Sequence, residues 1–137
     1  MLYIIADMEN SKRLILLFLI GAAGYPLLEI LWRGYSHWTM SVVGGICLIF
    51  MFLLNDLLIR FPVMLRSLAC TGIITLIEFT SGCLVNRILG WHVWDYSHIA
   101  GNMLGQVCPP YILLWFFIAL PVSYGFDYFW LRHRESV

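Results

Sequence analysis

The chain has 137 residues, of which 61% are hydrophobic, 16% aromatic and only 12% charged. A soluble domain carries about 25% charged residues; half that density cannot coat a small globule, whose surface per volume is high, and a disordered chain needs more charge and less hydrophobicity. Eight basic and eight acidic residues cancel, which leaves no electrostatic footprint for nucleic acid and points to an integral membrane protein with room for about four spans of roughly 20 residues each.

Four apolar stretches fit that count: Leu14 to Trp32, Val42 to Ile59, Ser67 to Leu89 and Tyr111 to Leu131. The expected fold is therefore all-α, a single polytopic membrane domain over residues 1–137. Helices are expected because lipid cannot satisfy an open strand edge, and no alternating ten-residue pattern marks a barrel. Gly21-Ala22-Ala23-Gly24 loosely matches a signal-cleavage site. The apolar stretch continues past it to Trp32, and Asp7 and Glu9 precede it, so the first span is read as retained.

Basic residues set the orientation. Lys12, Arg13, Arg60, Arg66, Arg132 and Arg134 lie on one side of the four spans, and only Arg33 and Arg87 lie on the other. This positive-inside bias puts both termini and the 60–66 loop in the cytoplasm, and the 33–41 and 90–110 loops outside. Spans one and three each carry a glutamate and lead into a Gly/Trp/His segment, as a two-plus-two repeat would. Their Glu-to-Arg spacings, four against nine, do not match.

Within span one, Tyr25, Glu29 and Arg33 share a helical face, and Glu29–Arg33 is a ready ion pair. Span three carries Glu78 near its middle, where an ionised acid costs about 2.5–3.5 kcal/mol on insertion scales. Thr71, Thr75, Glu78, Gly82 and Asn86 make one polar and small stripe there. Arg87 sits about half a revolution from Glu78 and is no same-helix partner. Glu78 must look to another helix, a loop, a proton or a ligand.

The outer loops are rich in polar and aromatic residues. The first contains Arg33, His37 and Trp38; the second contains Trp94, Asp95, Tyr96, His98, Asn102 and Gln106. Trp32, Trp91, Trp115 and Trp130 fit an ordinary interfacial belt. A short helix over 99–106 would point Asn102 and Gln106 the same way and could re-enter between the spans. Pro121 is expected to kink span four. Asp56 and Asp127 read as partners of Arg60, Arg66 or the Lys12-Arg13 pair.

Known chemistry is sparsely signalled. His37, His92 and His98 with Glu29, Glu78 or Asp95 would offer nitrogen and oxygen ligands to a metal, but there is no HExxH or paired-Cys pattern, so neither a metal nor another cofactor is expected. No GxSxG elbow is present. Lys12 has no preceding glycine loop, so the chain carries no ATPase phosphate-binding motif. Cys47, Cys70 and Cys83 lie within spans as small buried hydrophobes; a Cys83–Cys108 disulfide is conceivable on side but unsupported by spacing.

Three groups of residues match one family. They are Gly24-Tyr25, Glu29, Trp32-Arg33-Gly34 and Ser36-His37-Trp38 with Met40 and Gly44-Gly45; Glu78, Gly82, Asn86-Arg87, Gly90 and Val93-Trp94-Asp95-Tyr96-Ser97; and Asn102, Gly105-Gln106, Cys108 and Trp115. With these the chain resembles the bacterial membrane proteins known as putative ABC-transporter type IV, or CmpB-like. The resemblance implies a multi-span inner-membrane protein connected with transport, and carries no substrate.

The expected function is a small-solute binding or permease component in contact with membrane lipid. Its outer pocket would comprise Glu29, Arg33, His37, Trp38, Glu78, Asn86, Trp94, Asp95, Tyr96, Asn102 and Gln106, closed around a cationic or hydrogen-bonding small molecule. A homo-oligomer or a separate ATPase or permease partner would complete it. Two other readings stay open: an intramembrane enzyme acting on an envelope or lipid-linked substrate, using the acids and histidines for proton transfer, and a structural or regulatory membrane subunit.

Overall fold

The computed structural model describes residues 2–131, with side chains from 9 to 129. Among the described residues the chain is all-helical: α1 (Leu2–Arg33), α2 (Trp38–Leu57), α3 (Val63–Gly82) and α4 (Pro109–Phe126). A π-helical turn, Cys83–Ile88, prolongs α3, and a second, Asp127–Leu131, prolongs α4. The four spans are present as Glu9–Arg33, Trp38–Leu57, Val63–Ile88 and Pro109–Phe129, each long and apolar enough to cross a membrane. Arg132 and Arg134, counted above for orientation, lie outside the described residues, as does the Trp130 side chain.

Local chemistry moves the span ends away from the hydropathy limits. The second helix starts at Trp38 rather than Val42, because His37 caps it: the Thr39 amide donates to His37 Nδ1 (3.4 Å), which also lies 2.8 Å from Thr39 Oγ1. The third starts at Val63 rather than Ser67, directly after Pro62 in extended backbone. The fourth starts at Pro109, where two prolines fill the first positions whose N–H groups have no helical partner.

The short helix expected over 99–106 does not form. Gly101, Leu104 and Gly105 have φ of 78°, 52° and 72°, and positive φ cannot continue a right-handed helix. The segment is instead a series of turns closed by an isolated bridge between Met103 and Val107.

The chain divides into two compact units, Met1–Ile49 and Phe50–Val137. In the first, α1 meets the start of α2 at glycines. A Cβ on Gly21 would overlap the Gly44 carbonyl oxygen, and one on Gly44 would overlap the Gly21 carbonyl oxygen and Tyr25 Cβ. Close backbone approach of this kind is how helices pack where lipid removes the hydrophobic drive between them.

In the second unit α3 packs along α4. Met51, Phe52, Cys70, Ile74, Ala119 and Phe126 form its apolar core, with Phe52 and Phe126 edge to face at 5.4 Å. A buried polar cluster lies at the end where α3 begins and α4 finishes. Arg66 donates from Nη1 to Asp127 Oδ1 (2.7 Å) and from Nη2 to Oδ2 (2.6 Å). Its Nη1 also donates to Asn55 Oδ1 (3.1 Å), while Asn55 Nδ2 donates to the Met51 carbonyl (2.8 Å) and to Cys70 Sγ (3.3 Å). Asp127 is thus the partner of Arg66, one of the pairings the sequence allowed.

The glycine contact is directly testable. Gly21→Val should destabilise by about 1–3 kcal/mol, the usual cost of overpacking, because the atom it meets is backbone and cannot rotate away. Gly72, with open space around its Cβ, should gain about 0.5–1 kcal/mol on replacement by Ala. Unfolding in mixed detergent micelles, followed by circular dichroism, checks the opposite signs.

Candidate functional site

The stripe on α3 faces inward over most of its length: Thr71, Glu78, Gly82 and Asn86 are buried and Thr75 is half-buried. The threonine hydroxyls donate to the carbonyls four residues back, Thr71 to Ser67 and Thr75 to Thr71, a self-contained way to carry a hydroxyl in a span. Glu78 differs. Its Oε2 accepts the indole N–H of Trp115 on α4 (2.8 Å), and 5% of the residue is exposed. The partner that the sequence left open is therefore another helix. Trp115, which fits a belt on sequence alone, holds that place.

The π-helical turn brings Asn86 into the same row. In an uninterrupted α-helix eight residues turn about 80° past two full revolutions, carrying Asn86 away from the Glu78 face. The wider π turn takes up that excess, and such bulges are frequent at functional sites. Asn86 then pins the loop. Its Oδ1 accepts from Val93 N (2.7 Å) and Trp94 N (3.4 Å), and its Nδ2 donates to Gln106 Oε1 (2.8 Å). Trp94 Nε1 donates to the Gln106 carbonyl (2.9 Å), and Gln106 Nε2 to that of Leu104 (2.8 Å). The loop reaches one turn deeper than Asn86: a Cβ on Gly82 would come within 2.6 Å of Gln106 Oε1 and 2.8 Å of Trp94 Cζ2. Gly82 is one helical turn from Glu78.

The remaining loop residues brace this arrangement. Tyr96 stacks on Tyr111 of α4 at 4.7 Å. Asn102 donates to the carbonyls of Ser97 (3.2 Å) and Ile99 (2.8 Å) and accepts from Gly105 N (2.9 Å). Exposed Asp95 accepts the Ser97 amide (2.9 Å). The backbone and side-chain hydrogen bonds of Ser97, helped by His98 and His92, hold its carboxyl below the usual carboxylate range. Burial pushes the Cys108 thiol up, countered by a hydrogen bond from the Tyr111 backbone.

The other expected site residues belong to the first unit and are engaged locally. Arg33 Nη2 donates to Glu29 Oε1 (2.9 Å), the ion pair read from the spacing, and Ser36 Oγ donates to Oε2 (2.5 Å). The Arg33 guanidinium lies 4.4 Å from the centre of the Tyr35 ring. His37 caps α2, and Trp38 is exposed with its ring 5.7 Å from that of His37. All four cysteines are free, Cys83 and Cys108 included. Among the described residues no group of three or more His, Cys, Asp or Glu is placed to hold a metal.

A family model described as putative ABC-transporter type IV matches residues 16–136, a range that contains Glu78, Asn86, the loop and Trp115. No curated protein and no solved structure matches the chain.

Asn86→Ala should release the loop, since it strands the Val93 amide and the Gln106 carboxamide at about 1–3 kcal/mol for each buried group. Limited proteolysis in proteoliposomes should then cleave within residues 91–108 faster than in the native protein, with Asn86→Asp in between because it keeps only the acceptor. The Asp95 turn has a pH signature. A lowered carboxyl pKa stabilises the turn above the ordinary value of about 3.9, and that stabilisation is lost as pH falls through the lowered value. The Ser97 amide resonance should therefore stay fixed from neutral pH down to that ordinary value and shift only below it.

Proposed function

We propose a solute-contacting transport role for this chain, which belongs to the family described as putative ABC-transporter type IV. It is a multi-pass membrane protein with four apolar helices. In our reading it is the membrane-spanning component of a transporter in a bacterial inner membrane, its termini inside and the 89–108 loop outward. Glu78 meets a small cationic or hydrogen-bonding solute.

The observation that supports this is the pairing of Glu78 with Trp115 between α3 and α4, one turn from a loop of irregular backbone pinned by Asn86. An ionisable group buried in a span is a functional candidate by default. Irregular backbone next to a span is tolerated only where protein buries it or it lines a cavity. The loop thus acts as a plug over Glu78, and Asn86, Trp94, Tyr96, Asn102 and Gln106 hold the plug rather than the solute. Glu29 is engaged by Arg33 and Ser36 close by in the chain, whereas Glu78 is bonded across two helices beside the loop, and in our reading the solute role falls on Glu78. With no ATPase motif and a short 60–66 loop, energy comes from a second protein or from an assembly of several copies.

The test is thermal unfolding of detergent-purified protein against a panel of small probes: sodium, choline, putrescine and, as the neutral control, glycerol. A ligand at 100 times its Kd adds about 2.7 kcal/mol to the folded state. We expect a cation to raise the Tm by several degrees and Glu78→Gln to abolish that rise, while the unliganded variant stays folded. A rise that survives Glu78→Gln, or a native protein that no cation stabilises, overturns the proposal.

A further inference from the structure

Asp127 and Ser123, the α4 members of the polar cluster at the Arg66 end, lie beyond Pro121, whereas Trp115, which holds Glu78, lies before it. Pro121 has no N–H for the Phe117 carbonyl, so α4 lacks a hydrogen bond between these two functions. The backbone changes again at Asp127, where the second π-helical turn begins. Such turns are rare and common at functional positions. The far part of α4 is thus bounded by two departures from regular helix, with the latch residue at the second.

The closed cluster is also incompletely satisfied. Ser67 and Ser123 are wholly buried and Arg66 is 3% exposed. Ser67 Oγ and Arg66 Nε have no protein partner among the described residues, and Ser123 hydrogen-bonds Cys70. This end of the interface therefore carries more hydrogen-bonding capacity than the protein uses, as a place that water can enter would. The bidentate Arg66–Asp127 pair closes it. On the far side, Ile74 and Ala119 are apolar and essentially unexposed, and they separate the cluster from Glu78.

We propose that residues 122–131 form a hinged gate: it swings at Pro121, is latched to α3 by Arg66–Asp127, and admits water to the Arg66 end of the α3–α4 interface when the latch opens. Its purpose rests on the transport reading, since Glu78 would then lie between the loop plug at one end and this gate at the other. Its existence does not, and the test uses no solute.

Cys70 reports the state of the gate, because it is wholly buried in the cluster beside Asn55 and Ser123. With Cys47, Cys83 and Cys108 replaced by Ala, the full chain is reconstituted in proteoliposomes and treated with a small charged methanethiosulfonate. Native-latch protein should label slowly, Asp127→Asn roughly tenfold faster, and Pro121→Ala several-fold slower than either, following the population of the open form. The double exchange Arg66→Asp with Asp127→Arg should return labelling toward the slow rate. A second single-cysteine chain, keeping only Cys108, which is buried in the same unit at its loop end, reports general loosening of that unit. Equal rates in the native and Asp127→Asn chains overturn the latch, an unchanged rate in Pro121→Ala overturns the hinge, and parallel acceleration at Cys108 assigns the effect to unfolding and overturns the gate. Failure here leaves the Glu78 result standing, and loss of the Glu78 result leaves the labelling pattern standing.

Discussion

A guanidinium bonded through both Nη atoms to one carboxylate, in a chain with few other charges, dictates much of the second unit. Arg66 and Asp127 are 61 residues apart in sequence, and either alone at this depth would be an uncompensated buried charge. Removing one partner of such a pair typically costs about 3–5 kcal/mol, against a total folding stability of roughly 5–15 kcal/mol for an ordinary domain. The pair therefore fixes which end of α3 lies against which end of α4. Asn55 extends the constraint to the end of α2 by bonding Arg66, Cys70 and the Met51 carbonyl together. Once this end is set, the phase of α3 follows, and Thr71, Glu78 and Gly82 turn toward α4 and the loop.

The loop end obeys a different logic. Hydrocarbon offers no water to backbone amides, so residues 89–108 must find internal partners wherever they pack against the spans. Asn86 supplies several at once, and it does so because α3 widens into a π turn at Cys83. Gly82 supplies room for Trp94 and Gln106. The loop is thus held by one side chain and one missing side chain on the same helix, both on the stripe that carries Glu78. The polar array of Asn86, Trp94 and Gln106 is hydrogen-bonded within itself and to the irregular segment it fastens.

Particular residues show how much of this the sequence could carry. The four spans were legible because mean hydropathy over about 20 residues is set by composition and needs no tertiary knowledge. Glu29–Arg33 was legible because helical neighbours four apart meet whatever the rest of the chain does. Asp127 was narrowed to three kinds of basic partner, and packing chose Arg66. Trp115 was not legible as the partner of Glu78: they are 37 residues apart, and a tryptophan near a span end fits a lipid interface equally well. In 99–106 the turn formers Gly101-Asn102 and Gly105 speak against a helix, but the positive φ at Leu104 and the Met103–Val107 bridge carry no local signal.

The two intramembrane glutamates differ in how far along the chain their partners lie. Glu29 has one oxygen on an arginine and the other on a serine, all within eight residues of chain, so its charge is neutralised by groups that fold with it. Any solute competing there must displace a local ion pair. Glu78 is held across two helices, its Oε2 accepting the Trp115 indole N–H. The same acid type is half-buried in one unit and buried in the other. In the first unit the acid's partners fold with the end of its own helix, and in the second the acid links α3 to α4 beside the loop.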